Sequence, residues 1–116
     1  KEVDISIEGH NDQVRSVAFS ANGTEIISGS SDKTIRVWNV ATGAQIGDPL
    51  QGHDDYVNSV AFSADCTKIV SGASDKTIRL WDTATGDQIG DPLQGHDDWV
   101  NSVAFSADGT RIVSGS

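Results

Sequence analysis

Little in this chain could cross-link it or carry it through a membrane. Its single cysteine, Cys66, leaves no partner for an internal disulfide. A lone thiol suits a reducing compartment, and the expected location is cytoplasmic. No apolar run approaches the roughly 20 residues of a helical membrane span. Positive charge is also scarce: 8 Lys and Arg stand against 17 Asp and Glu, for a net charge of −9. Affinity for nucleic acid rests largely on cations that neutralise phosphates, so this balance argues against a nucleic-acid partner. It argues equally against anionic membranes and points to a basic protein or peptide. Helical periodicity is missing too. No amphipathic 3.6-residue pattern persists for ten residues anywhere in the chain.

What the chain has is a repeat. Residues 52–94 begin GHDDYVNSVAFS, pass through IVSGASDKTIRLWD and close with TATGDQIGDPLQ. Residues 9–51 carry the same text with 31 of 43 positions identical, and residues 95–116 restart it with 18 of 22 identical. A period of 43 residues implies a repeat architecture, with units at 9–51, 52–94 and a truncated 95–116, preceded by a segment at 1–8. The 116 residues fall between two periods and three. The expectation is a piece of a larger object, or a protomer that completes itself with neighbours.

Within a unit the pattern is that of strands. Val3, Ile5 and Ile7 alternate with polar residues, as in a half-buried strand. Residues 14–20 and 25–30 flank Asn22-Gly23, a hairpin turn signal. Residues 34–40 follow a Ser31-Asp32-Lys33 turn, and residues 44–50 follow Ala41-Thr42-Gly43. Pro49 cannot donate a ladder hydrogen bond, which places the fourth strand at a sheet edge. The second unit predicts strands over 57–63, 68–73, 77–83 and 87–93, and the third over 100–106 and 111–115. Each unit is therefore a four-stranded antiparallel meander. Val57, Val60, Phe62, Ile69, Val70, Ile78 and Leu80 make both of its faces apolar, and both need a cover. Radial stacking of copies supplies it, so the predicted fold is all-β: about 2.5 blades of an incomplete β-propeller. Bare end faces of such a stack would leave so much apolar surface unburied that no stable, isolated monomer is expected.

Gly9-His10 leading to Trp38-Asn39, and Gly52-His53 leading to Trp81-Asp82, resemble the WD-repeat (WD40) family. The strings SGSSDKTIRVWN and SGASDKTIRLWD are similar to that family's second strand, turn and third strand. The near-identity of the copies also resembles the amplified repeats of fungal NACHT-type signalling receptors, where the array is the recognition region. The resemblance implies one blade per repeat, with the outermost strand placed just before Gly-His. It implies a non-enzymatic scaffold for protein–protein recognition, without cofactor. The alternative is a self-assembling module that completes a ring from several copies.

Ser28, His10 and Asp32, and again Ser71, His53 and Asp75, have the composition of a hydrolase triad. A catalytic set need occur only once, whereas a structural device recurs in each unit. The family resemblance implies a buried hydrogen-bond chain through Asp32, His10, Ser28 and Trp38, and through Asp75, His53, Ser71 and Trp81, with His96 and Ser114 in the third unit. A buried indole N–H needs an acceptor, and a hydroxyl can pass the bond onward.

The family's contact positions fall here on Gln13, Arg15, Ser31, Tyr56, Asn58, Ser74, Trp99 and Asn101. Internal comparison supports them: position 13/56/99 reads Gln, Tyr, Trp and position 15/58/101 reads Arg, Asn, Asn, in nearly constant surroundings. Aromatics in a polar loop are residues of the kind that dominate interfaces. Drift at exposed positions is the plainer reading, and it covers the variation at 22/65/108 and 25/68/111. Asp12, Asp54, Asp55, Asp97 and Asp98 make the same side acidic, suited to steering a basic partner. Their spacing matches no calcium loop, and no metal is expected. Cys66 stands where the other copies have Gly23 and Gly109, a tolerated substitution in a turn.

Overall fold

The computed structural model describes residues 13–20, 23–65, 67–94, 98–106 and 111–115. The expected strand at 1–8, and His10, Asp12, Asn22, Cys66, His96, Asp97 and Gly109, lie outside the described residues. The described elements are all strands: β1 (Val14–Phe19), β2 (Glu25–Ser30), β3 (Thr34–Asn39), β4 (Gln45–Gln51), β5 (Val57–Phe62), β6 (Lys68–Ala73), β7 (Thr77–Asp82), β8 (Leu93–Gln94), β9 (Ser102–Phe105) and β10 (Ile112–Gly115). They form two four-stranded antiparallel meanders, β1-β2-β3-β4 and β5-β6-β7-β8, and a two-stranded sheet of β9 and β10. The three sheets are not closed into a ring.

Local chemistry makes each meander. Gly23 takes φ 73°, the left-handed conformation that the return from β1 to β2 requires. Ser20 braces that turn, its hydroxyl accepting the Glu25 N–H at 3.0 Å. In the second unit Ser63 does the same for Lys68 at 3.0 Å. Hydroxyls of Ser63 and Thr67, each 2.7 Å from the Asp65 carboxylate, hold that exposed carboxyl down to about 2.

Two expected strands differ in extent. Residues 45–51 and 88–94 carry the same heptapeptide, QIGDPLQ, yet β4 spans seven residues and β8 only two, with Gln88 joined to Trp81 by an isolated bridge. The cause is tertiary. Leu50 is buried beneath the turn of the second unit, where a Cβ on Gly86 would stand 3.3 Å from Leu50 Cδ2. Leu93 is exposed. In the third unit β9 and β10 are shorter than the expected 100–106 and 111–115.

The sheets stack face to face through cores repeated at the sequence period. Ile27, Ile35 and Leu50 of the first sheet meet Val57, Val60, Ile69 and Trp81 of the second. Val70 and Ile78 of the second meet Val100 and Val103 of the third unit. Adjacent residues Ile69 and Val70 thus point to opposite neighbours, as strand alternation dictates. Val57 and Val60, three apart, share a face because the register shifts between Val57 and Ser59. Polar ties repeat as well: Val60 N–H donates to Ser16 Oγ at 3.2 Å, and Val103 N–H to Ser59 Oγ at 3.2 Å.

Candidate recognition site

One edge of the stack gathers the turns 31–33 and 74–76 and the connections 52–56 and 98–101. Beneath that edge runs a polar chain within the second sheet. Trp81 Nε1–H donates to Ser71 Oγ at 2.9 Å, and Ser71 Oγ lies 2.7 Å from His53 Nε2. His53 Nδ1 lies 2.9 Å from Asp75 Oδ2. The first sheet repeats its start, Trp38 Nε1–H donating to Ser28 Oγ at 2.8 Å. Asp32 and Ser28 are both partnered, while His10 is outside the described residues.

Charge fixes the direction of the chain. Burial pushes the His53 imidazole below its ordinary value, outweighing the pull of Asp75. Burial also raises Asp75, but hydrogen bonds from Thr77, His53 and the Asp54 backbone more than offset this, leaving it below the usual carboxylate range. His53 and Asp75 are within ion-pair distance, yet a neutral ring makes the contact a hydrogen bond from Nδ1–H to carboxylate. Nε2 is then an acceptor for the Ser71 hydroxyl, while that oxygen accepts from Trp81. Every member is satisfied in one direction.

Thr34 and Thr77 belong to this assembly and were not among the sequence candidates. Each hydroxyl donates to the Asp two residues earlier at 2.6 Å, and each backbone N–H donates to the same carboxylate oxygen at 3.0 Å. The signal was present in the invariant Asp-Lys-Thr string, a side-chain-capped turn.

Asp75, His53 and Ser71 also have the distances of a hydrolase triad. Chemically the set is closed. Ser71 is wholly buried, and the Trp81 N–H occupies one lone pair of its oxygen. His53 Nε2, 2.7 Å away, is its second partner.

Above the chain stand the varying positions. Asp55 Oδ1 accepts the Tyr56 N–H at 2.8 Å, and Asp98 Oδ1 accepts the Trp99 N–H at 2.8 Å. The same carboxylate clamp therefore presents both aromatics, Tyr56 at 41 % and Trp99 at 54 % exposed. Gln13, Arg15 and Asn101 are exposed as well. Ser31 and Ser74, expected among the contact residues, are buried below this surface. Ser74 N–H donates to Tyr56 O at 2.8 Å and its hydroxyl accepts from Asn58 Nδ2 at 3.0 Å, so it braces the aromatic's loop. Arg15 and Asn58 each reach the next unit. The Arg15 guanidinium lies 4.8 Å from the Tyr56 ring centroid and donates through Nε to Asn58 Oδ1 at 3.3 Å. Asn58 Nδ2 donates to Val100 O at 3.2 Å. Ser114, expected in a third buried chain, is only half-buried, because β10 has no third strand beside it among the described residues.

A family model described as "WD domain, G-beta repeat" matches residues 2–39, 44–82 and 87–116. The vegetative incompatibility protein HET-E-1 of the fungus Podospora anserina is 55 % identical over 38 residues, 33 % of this chain and 3 % of that protein. Ribosome biogenesis protein BOP1 homologs of Drosophila grimshawi and Drosophila melanogaster are 54 % and 51 % identical over 35 residues, 30 % of this chain and 4 % of each relative. The aligned stretches thus cover a small fraction of the relatives' length.

Proposed function

Because the chain belongs to the WD-repeat family, we propose that it is a non-enzymatic platform that recognises a protein or peptide through its aromatic-tipped edge. WD-repeat chains generally serve as interaction scaffolds. The observation that carries the reading is the pairing of Tyr56 and Trp99. Two identical carboxylate clamps hold two different large aromatics open to solvent. Selection for packing alone would not place rings there, since exposed aromatics among acidic residues contribute most when a partner covers them. The wholly buried Ser71 supports the absence of hydrolase chemistry.

Peptides selected from a random library on the intact chain test this. Trp99→Ala and Tyr56→Ala are expected to weaken the selected peptides by about ten-fold or more, with nearly unchanged melting temperature. Lys68→Ala, on the opposite edge, should leave affinity unchanged. Affinity in both variants equal to that of the unaltered chain would defeat the reading.

A second reading, self-assembly of copies, rests on a separate observation. Val17 and Phe19 on the outward face of the first sheet are 57 % and 60 % exposed, whereas Val60, the counterpart of Val17 one period later, is 5 % exposed. The same apolar surface is a buried interface in one place and bare in another. A second copy applying its own sheet face there would repeat a contact already made inside the chain. Light scattering over a dilution series should show reversible association that Val17→Asp abolishes. A monomer at all concentrations, or association indifferent to Val17→Asp, would dismiss it.

A further inference from the structure

The two aromatics differ in one respect that the rest of the stack makes interpretable. Tyr56 carries a cation: Arg15, from the preceding unit, lies over its ring at 4.8 Å. The position equivalent to Arg15 in the second unit is Asn58. Asn58 reaches toward the third unit, but it is neutral and spends its amide on Ser74 Oγ and Val100 O. Among the described residues no cation lies over the Trp99 ring. The clamp on the backbone N–H is unchanged, with Asp98 in the place of Asp55.

We propose that Trp99 is a docking site for a cationic side chain, guanidinium or ammonium, of a basic protein or peptide. The inference rests on the recognition reading above and names the chemistry of the partner. Three observations converge. Indole is the strongest of the aromatic faces for a cation. The chain itself shows the complex, since Arg15 on Tyr56 is the same contact made internally one unit earlier. The surrounding charge favours a cation, with the Asp98 carboxylate on the Trp99 backbone N–H and a net charge of −9 on the chain. The first pair of units is thus closed by its own arginine, and the second pair presents the equivalent ring without one.

The test uses the intact chain, labelled with nitrogen-15, and the peptide tri-arginine. Trp38 and Trp81 are buried, so the indole N–H signal of Trp99 is an internal reporter with two built-in controls. Tri-arginine should shift the Trp99 signal saturably and leave the other two in place. Tri-citrulline, similar in shape but uncharged, should not. Asn58→Arg supplies the intramolecular cation and should weaken tri-arginine by about three-fold or more. Arg15→Asn bares Tyr56 and should add a second response there, so a poorly folded Asn58→Arg variant would not decide the matter. A Trp99 signal unmoved by tri-arginine, or an affinity unchanged in Trp99→Leu, overturns the proposal. The two readings fail separately. Library peptides that need Trp99 but carry no cation, beside an unmoved signal, leave recognition standing and remove the cation. A saturable tri-arginine shift without any Trp99-dependent peptide does the reverse.

Discussion

Gly72→Ala should lower the melting temperature by roughly 10 °C, the consequence of about 1–3 kcal/mol of overpacking in a domain of this size. A Cβ at Gly72 would stand 2.5 Å from Val100 Cγ1 and 2.8 Å from Val103 Cγ1, inside any allowed contact. Both valines are buried in the core between the second and third units, so neither can move aside without opening it. Gly29 is the same position one period earlier, with a Cβ 2.7 Å from Val57 Cγ1, and Gly29→Ala should behave alike. Gly115, the third copy, has nothing within 4 Å of its Cβ. Gly115→Ala should therefore leave the melt unchanged or slightly raised. That comparison separates contact from backbone preference, because the three glycines sit at one place in one motif. Equal losses at all three would show that strand propensity, not the approach of the sheets, sets the cost. Removing the obstructing side chain gives a second check. The double variant Gly29→Ala, Val57→Ala should lose less than its two single variants together, since the clash and the cavity share one space.

The close approach at Gly29 and Gly72 is made between units, and no local pattern in the chain contains it. Strand identity followed from alternation and turn residues, and those are local. Gly23 is needed at the first hairpin for a reason that its own φ contains. The stacking of the sheets was also legible, because apolar residues on both faces of a unit leave no other arrangement. Extent was not legible where the neighbour decides it. QIGDPLQ makes a full strand where the Gly86 turn covers Leu50 and a two-residue strand where Leu93 stays exposed, so no property of that heptapeptide separates the two.

At the site, the resemblance to the WD-repeat family brought out the Asp, His, Ser and Trp of the buried chain, each a polar group that burial obliges to find a partner. It did not show that Ser31 and Ser74 sit under the surface, since a serine reads alike in a brace and in a contact. Nor could it show Arg15 on Tyr56, a contact between residues 41 apart in sequence, made only once the sheets are stacked. Variation between copies pointed to the tips. Among the described residues, the geometry distinguishes a ring that carries a cation, Tyr56, from one that does not, Trp99.

Ser71→Ala should be among the most damaging single changes in the second unit. It strands the Trp81 N–H and His53 Nε2 together, both inside a buried site, at about 1–3 kcal/mol per group. The half-buried Ser114 should cost less when made Ala, because water can reach what it leaves. The polarity of the chain adds a dependence on pH. His53 is held neutral in the fold by burial, below its ordinary value, while in the unfolded chain it titrates near 6.5. As pH falls through that value the unfolded chain takes up a proton that the folded chain refuses, and stability declines until the lower folded value is reached. Asp75 acts in the same direction at more acidic pH, since its folded carboxyl lies below the unfolded one and its contribution is lost as it protonates. The melting temperature should therefore fall as pH is lowered from 7 to 5. Near pH 6 the slope attributable to His53 is at most about 1.4 kcal/mol per pH unit. His53→Gln should lower stability at pH 7 and flatten that part of the profile. A wild-type melt that holds steady or rises over the same range would mean a charged imidazole. Nε2–H would then donate to Ser71, whose own hydroxyl would be left with only the Arg79 carbonyl, 3.5 Å away.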